Sequence, residues 1–153
     1  MKISEILHRD AVVESLSAAT KKEALFELAE PLSRLRPGLD RDQMVNILLE
    51  REKLGSTGVG ESIAIPHGKI TGLEEVVVSF GRSRRGVDFD AMDGKPVHLF
   101  FLLMAPEGCA GSHLKALAKI SRMLKDVSFR KRLMEAKSAA ELYQLIVEQD
   151  DLC

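Results

Sequence analysis

The chain has 153 residues, 45% of them hydrophobic and 29% charged, which suits one domain over 1–153 with a core that needs neither staples nor metals. Twenty-two Lys and Arg against twenty-three Asp and Glu leave a formal net charge of −1, so the electrostatic footprint of a nucleic-acid binder is missing. Two cysteines, Cys109 and Cys153, make neither a disulfide framework nor a zinc-like spacing, and a reducing cytoplasm is the expected compartment.

Met1 to His8 carries an acid and a histidine where a signal peptide needs an unbroken apolar region. Thr20-Lys21-Lys22-Glu23 has the form of a capping box, and Leu25, Leu28, Ala29, Leu32 and Leu35 follow at helical spacing. Pro31 is expected to kink that helix or end it early. Asp40 opens a second helix carrying Met44, Ile47, Leu48 and Leu54, with Gly55 as its stop.

Gly55 to Gly60 holds three glycines and reads as a loop able to bring backbone N–H groups close to a ligand, before a short strand Ile63-Ala64-Ile65. Glu75 to Phe80 reads as a buried strand and Arg82 to Gly86 as a basic turn. Those arginines either attract an acidic partner or merely solubilise the turn. Val97 to Met104 is apolar on both faces apart from His98, as a central strand must be, and the apolar run Leu99 to Ala105 is far short of the roughly 20 residues that span a bilayer.

Ser112 is expected to cap a helix with Leu114, Leu117, Ile120 and Leu124. Asp126 caps a shorter one, and Ser138-Ala139-Ala140-Glu141 is a capping box for the last. The fold class is α/β, a single-domain sandwich with a small sheet flanked by helices.

Several chemistries fail on spacing. Gly68-Lys69 is followed by Ile70, with Ile63 five positions before Gly68, so there is no P-loop. Gly58-Val59-Gly60 lacks the third glycine of a dinucleotide fingerprint, and no cofactor is implied. His8, His67, His98 and His113 form no i, i+4 metal pair, and Ser62 lacks the closing glycine of a nucleophile elbow.

What remains is Ile65-Pro66-His67-Gly68-Lys69, a histidine at a strand end between a rigid proline and a permissive glycine. A free imidazole titrates near ~6.5, so at neutral pH it offers a lone pair to phosphorus. Arg51, Lys69 and the Gly55–Gly60 loop are able to supply cations and N–H donors for phosphoryl oxygens without a metal. On the motif alone, this segment is either a phosphoryl acceptor or simply a turn. His113, similarly, is either part of that site or a helix-start residue that caps and packs. His98 reads as a satisfied buried residue and His8 as a surface one, and Cys109, in a loop four residues before His113, is either a reactive thiol or incidental, with nothing in the sequence that activates it.

The run from Leu54-Gly55-Ser56-Thr57 to Ile65-Pro66-His67-Gly68-Lys69 resembles the active-site signature of the fructose/mannitol class of phosphotransferase enzyme IIA domains. Arg51-Glu52, the stretch Phe89 to Val97, and Pro106 followed by His113-Leu114 resemble that class in the same order. The Ser-Thr-Gly and Phe-Asp-Ala-Met-Asp phrases and the ending Glu141-Leu142-Tyr143 are most similar to its nitrogen-regulatory branch.

The resemblance implies an α/β sandwich with a mixed sheet and a phosphohistidine intermediate on His67. Arg51 and His113 would assist, and Ser56, Thr57, Gly68 and Lys69 would form the phosphate environment. It also implies an HPr-like phosphoryl donor protein and cytoplasmic regulatory targets, with no membrane insertion. A sugar-specific IIA component feeding a permease IIB domain, and an interaction domain that no longer accepts phosphate, are the alternatives. A chain ending at Cys153 without a permease module fits the regulator better.

Overall fold

In the computed structural model, which describes residues 1–152, the sheet is built around one strand that is apolar but for a single histidine. That strand is β6 (Val97–Pro106), all but His98 of which is buried. It lies antiparallel to β5 (Val77–Val87), with Phe80 opposite Phe101 and Val78 opposite Leu103. β1 (Leu7–Val13) joins β5 in parallel. On its other side β6 is met first by β3 (Ile63–Ala64) and then by β4 (His67–Ile70), both parallel to it, and β2 (Gly58–Gly60) closes that edge against β3. The sheet is therefore mixed and six-stranded.

Side-chain alternation on β5 sorts the helices onto two faces. Ser79 and Gly81 face α2 (Lys21–Leu35): the Ser79 hydroxyl donates to Leu28 O at 2.7 Å, and a Cβ on Gly81 would lie 2.7 Å from Leu28. α3 (Arg41–Glu52) packs beside α2. Arg82 points to the opposite face, where α4 (Ala110–Leu124), α5 (Val127–Glu135) and α6 (Ala139–Leu152) pack on one another. A single turn, α1 (Ile3–Ile6), precedes β1. A sheet covered on both faces needs continuously apolar central strands, which accounts for β6. No helix among the described residues is long and apolar enough to cross a membrane.

Caps written in the sequence are used as expected. Thr20 and Glu23 exchange the reciprocal bonds of a capping box, Asp40 and Asp126 cap α3 and α5, and the Ser138 hydroxyl accepts from Glu141 N–H at 3.1 Å.

Other expectations are corrected. α2 runs past Pro31 to Leu35, because buried Leu28 and Leu32 hold its last turns against the core and Arg36 N–H closes on Leu32 O at 2.9 Å. α3 ends at Glu52, with Lys53 as C-cap, so Gly55 lies beyond the stop rather than at it. α4 begins at Ala110 with Cys109 at the cap, two residues before Ser112. β1 was not legible: three exposed residues in a row, His8 to Asp10, sit between buried Leu7 and Ala11, and the shifted register erases the period of two. Cys153 lies outside the described residues.

The largest correction concerns Arg82 to Gly86, which continue β5 instead of forming a basic turn. Arg82 is fully buried. Its guanidinium donates to the carbonyls of Glu14, Leu133 and Ala136, fastening β5 to the segment that joins α5 and α6. Burial pulls its pKa down. Replacing Arg82 with Met should leave three carbonyls without their donor and lower unfolding free energy by about 2 kcal/mol or more. Lys, a point donor without the planar fork, should not restore it. Urea unfolding checks this, and an unchanged midpoint would contradict it.

Candidate functional site

β3 and β4 are two pieces of one strand beside β6, broken at Ile65-Pro66. Proline has no N–H for the ladder, and it fixes φ, so the break is dictated by Pro66. β6 loses little, since Leu103 N–H reaches Pro66 O at 2.9 Å across the gap. His67 is the first residue after the break, half-buried, and Lys69 follows on the same face of β4. Gly68 faces the other way, where a Cβ would approach Ile47 of α3 to 2.7 Å. Only glycine lets helix and strand come so close.

The His67 ring folds back so that Nδ1 lies 2.8 Å from Ile65 O. A carbonyl can only accept, so Nδ1 carries the proton and Nε2 keeps the lone pair. The second imidazole stands edge-on to the first: the His67 and His113 centroids are 5.4 Å apart, with planes at 74°. His113 comes from the first turn of α4 and is 8% exposed, and its Nε2 is buried without a hydrogen-bond partner. An orphaned buried imidazole nitrogen beside a second histidine is poised for a ligand that brings its own oxygen. Burial, followed by the nearby His67 and Lys69, holds the His113 pKa below its usual value, so this ring is neutral at neutral pH.

The loop before the break is held by side chains. The Ser56 hydroxyl donates to Phe89 O at 3.0 Å and accepts from Gly58 N–H at 3.0 Å. The Thr57 hydroxyl donates to Glu52, a buried carboxylate that also accepts from Thr57 N–H. Both hydroxyls therefore shape the loop from within. Met92 N–H bonds to Gly58 O at 2.9 Å, which seats the stretch from Phe89 onward along β2. Arg51 is half-buried one turn beyond Ile47 on α3, and its guanidinium donates to Gly55 O at 3.0 Å.

The structure thus brings together His67, His113 and Lys69, and places Arg51 on the helix that packs against β4. His98 is half-buried rather than buried, Arg84 and Arg85 are exposed, and His8 is exposed as expected. Three contributors escaped the sequence reading: Glu52 and Lys21, whose ion pair spans 3.1 Å in the interior, and the Ile65 carbonyl. Arg51-Glu52 was visible as a phrase, but nothing in it indicated that the carboxylate turns inward.

A mixed sheet with a strand broken beside its central β6, and a histidine pair at the break, defines a small α/β sandwich fold. The family model described as phosphoenolpyruvate-dependent sugar phosphotransferase system, EIIA 2, matches residues 5–149. The chain belongs to this family and is a IIA-type component of the phosphotransferase system. A nitrogen regulatory protein of Bradyrhizobium diazoefficiens is 43% identical over 146 residues, covering 95% of this chain and 95% of that one. The crystal structure of nitrogen regulatory protein IIA-Ntr from Neisseria meningitidis has a TM-score of 0.87 at 39% identity, covering 94% of this chain and 98% of that one. A fructose-specific EIIABC component of Bacillus subtilis is 36% identical over 150 residues, 98% of this chain but 24% of that larger protein.

Because His113 is held neutral, protons favour the unfolded chain once the pH drops below the ordinary imidazole value of ~6.5. The resulting loss of stability begins there and is complete once the pH has passed the lowered folded value. Urea unfolding across that window should therefore show a steeper loss for the wild type than for His113→Gln. Superimposable pH profiles would contradict the burial argument.

Proposed function

We propose that this chain is a regulatory, nitrogen-type IIA phosphoryl carrier that accepts phosphate on His67 Nε2 from an HPr-like donor protein. The observation that carries the reading is the 2.8 Å contact between Ile65 O and His67 Nδ1, which leaves Nε2 as the free lone pair. In the transfer, that lone pair forms the new N–P bond while the donor's N–P bond breaks and its electron pair returns to the donor imidazole. His113 Nε2 is then offered phosphoryl oxygens, and with the phosphoryl dianion alongside it takes up a proton and becomes a charged donor. Lys69 adds a cation, and Arg51 is one helical turn from the packing contact at Gly68. Gly68 allows the close approach of α3, and Ser56 and Thr57 serve the phosphate environment through the loop they hold. This is the positioning and electrostatic work that phosphoryl transfer asks of a protein.

A protein donor needs a surface to dock on. Leu54, Val59, Met92 and Leu114, on the segments that carry the site, are 84%, 51%, 77% and 66% exposed. Exposed apolar groups in such number around charged chemistry suit a transient protein partner. The regulatory assignment is supported by the likeness to nitrogen regulatory proteins over nearly the whole chain. The likeness to a fructose-specific component supports a second reading, delivery of phosphate to a sugar permease IIB domain. The two readings share His67 and differ in the acceptor. For a regulator, the message is local charge: phosphorylation places roughly two negative charges on the imidazole.

Incubation with phosphoenolpyruvate, enzyme I and an HPr-type donor should add one acid-labile, alkali-stable phosphoryl group, detected by mass. His67→Ala should abolish the gain, and a persisting gain overturns the assignment. Arg51→Ala and His113→Ala should each slow transfer by about 10²-fold or more while the chain stays folded. Wild-type rates in both remove them from the site. Affinity capture from the native host with phosphorylated and unphosphorylated protein separates the two readings. Regulation predicts a state-dependent partner that is not a permease domain; capture of a IIB domain alone replaces it with transport.

A further inference from the structure

Glu52 has no place in the transfer just described, yet its surroundings are unusual. Its side chain is 3% exposed, and a buried carboxylate is expensive unless its lone pairs are filled. Here they are. Lys21 Nζ lies 3.1 Å away, Thr57 N–H reaches both carboxylate oxygens at 3.2 and 3.3 Å, and the Thr57 hydroxyl adds a further bond. Lys21 is in turn fixed over the Phe89 ring at 5.1 Å and lies 3.6 Å from Asp90. An ion pair of this kind is weak evidence for stability, since apolar residues of the same volume serve as well. What it fixes in place is the more informative question.

It fixes Thr57, and the bonds continue. Thr57 O accepts from Ile65 N–H at 3.1 Å, and Ile65 O faces His67 Nδ1 at 2.8 Å. Ile65 lies in the break between β3 and β4, outside the ladder on β6, and Pro66 beside it has no N–H. The Thr57 bond ties Ile65 to the loop on one side, as the bond from Leu103 N–H to Pro66 O ties the segment to β6 on the other, and the Ile65 carbonyl that faces His67 lies between these two ties.

We propose that Glu52, held by Lys21, is a positioning residue for His67, setting through Thr57 and Ile65 which ring nitrogen carries the proton. This rests on the reading of His67 Nε2 as the acceptor, but the tautomer claim stands apart from it. If the loop shifts, the Ile65 carbonyl turns away and the His67 proton is free to move to Nε2. That nitrogen then loses the lone pair needed for attack. A misplacement far from the reacting atoms is sufficient for large rate effects.

The test reads the tautomer directly. Long-range ¹H–¹⁵N spectra of the unphosphorylated protein, at a pH where His67 is neutral, should show its proton on Nδ1 in the wild type. In Glu52→Gln and Lys21→Met the spectra should show a mixture of Nδ1–H and Nε2–H forms. Backbone shifts should be confined to the segments around residues 21, 52–69 and 89–92. Glu50→Gln, which alters an exposed pair on the same helix, should leave the tautomer unchanged. In transfer assays both site variants should lower kcat by about tenfold or more, with KM for the donor little altered. Nδ1–H retained at the wild-type fraction in Glu52→Gln and Lys21→Met overturns the proposal, whatever happens to stability or rate. If His67 proves not to accept phosphate, the tautomer shift is still expected, so the two failures are told apart.

Discussion

Pro66 interrupts the strand that accompanies β6, and the site depends on that interruption. A continuous strand would direct residue 65 into the ladder as well and leave no carbonyl for an imidazole to fold back on. With the break, Ile65 O is released to meet His67 Nδ1 at 2.8 Å, while Leu103 N–H is still satisfied by Pro66 O. One residue without an N–H thereby spends a single rung of the sheet and obtains a histidine of defined tautomer at the rim of a rigid core. The rigidity comes from below: β6 is apolar on both faces, and aromatic pairs such as Phe80–Phe101 and Phe89–Phe100, edge to face at 4.9 and 5.3 Å, lock it to its neighbours.

Around that fixed point, four distant stretches converge. α3 brings Arg51 and Glu52, the glycine loop brings Thr57, the stretch after β5 brings Phe89 and Met92, and the start of α4 brings His113. Glycine at position 68 is needed because Ile47 leaves no room for a Cβ, and glycine at position 58 because Ala91 is 3.0 Å from where one would sit. The close helix–strand and loop–strand contacts explain why small residues surround the histidine pair. The neutral ring of His113 likewise keeps a buried Nε2 without a hydrogen-bond partner.

The sequence made the central features legible because they are local. Capping boxes at Thr20 and Ser138 need only four residues to be read, and the ten-residue apolar run of β6 announces a strand covered on both faces. His67 was legible because proline and glycine bracket it. What escaped was set by distant contacts. Arg82 looks like surface charge beside Arg84 and Arg85, but the carbonyls of Leu133 and Ala136, about 50 residues on, neutralise the cost of burying it. Glu52 escaped for the same reason, since Lys21 lies on another helix. β1 escaped because a bulge removes its alternation. Ser112 misled because a hydroxyl within the first turn resembles a cap, whereas the backbone had already turned at Cys109.

If the Ile65 carbonyl selects Nε2 of His67 as the atom that accepts phosphate, ¹H–¹⁵N–³¹P correlation on wild-type protein phosphorylated through its donor chain reads that choice most directly. It should show a single phosphoryl group bonded to His67 Nε2, Nδ1 still protonated, and His113 shifted toward its charged form. A phosphoryl group on Nδ1 of His67, or on any other residue, would contradict that choice.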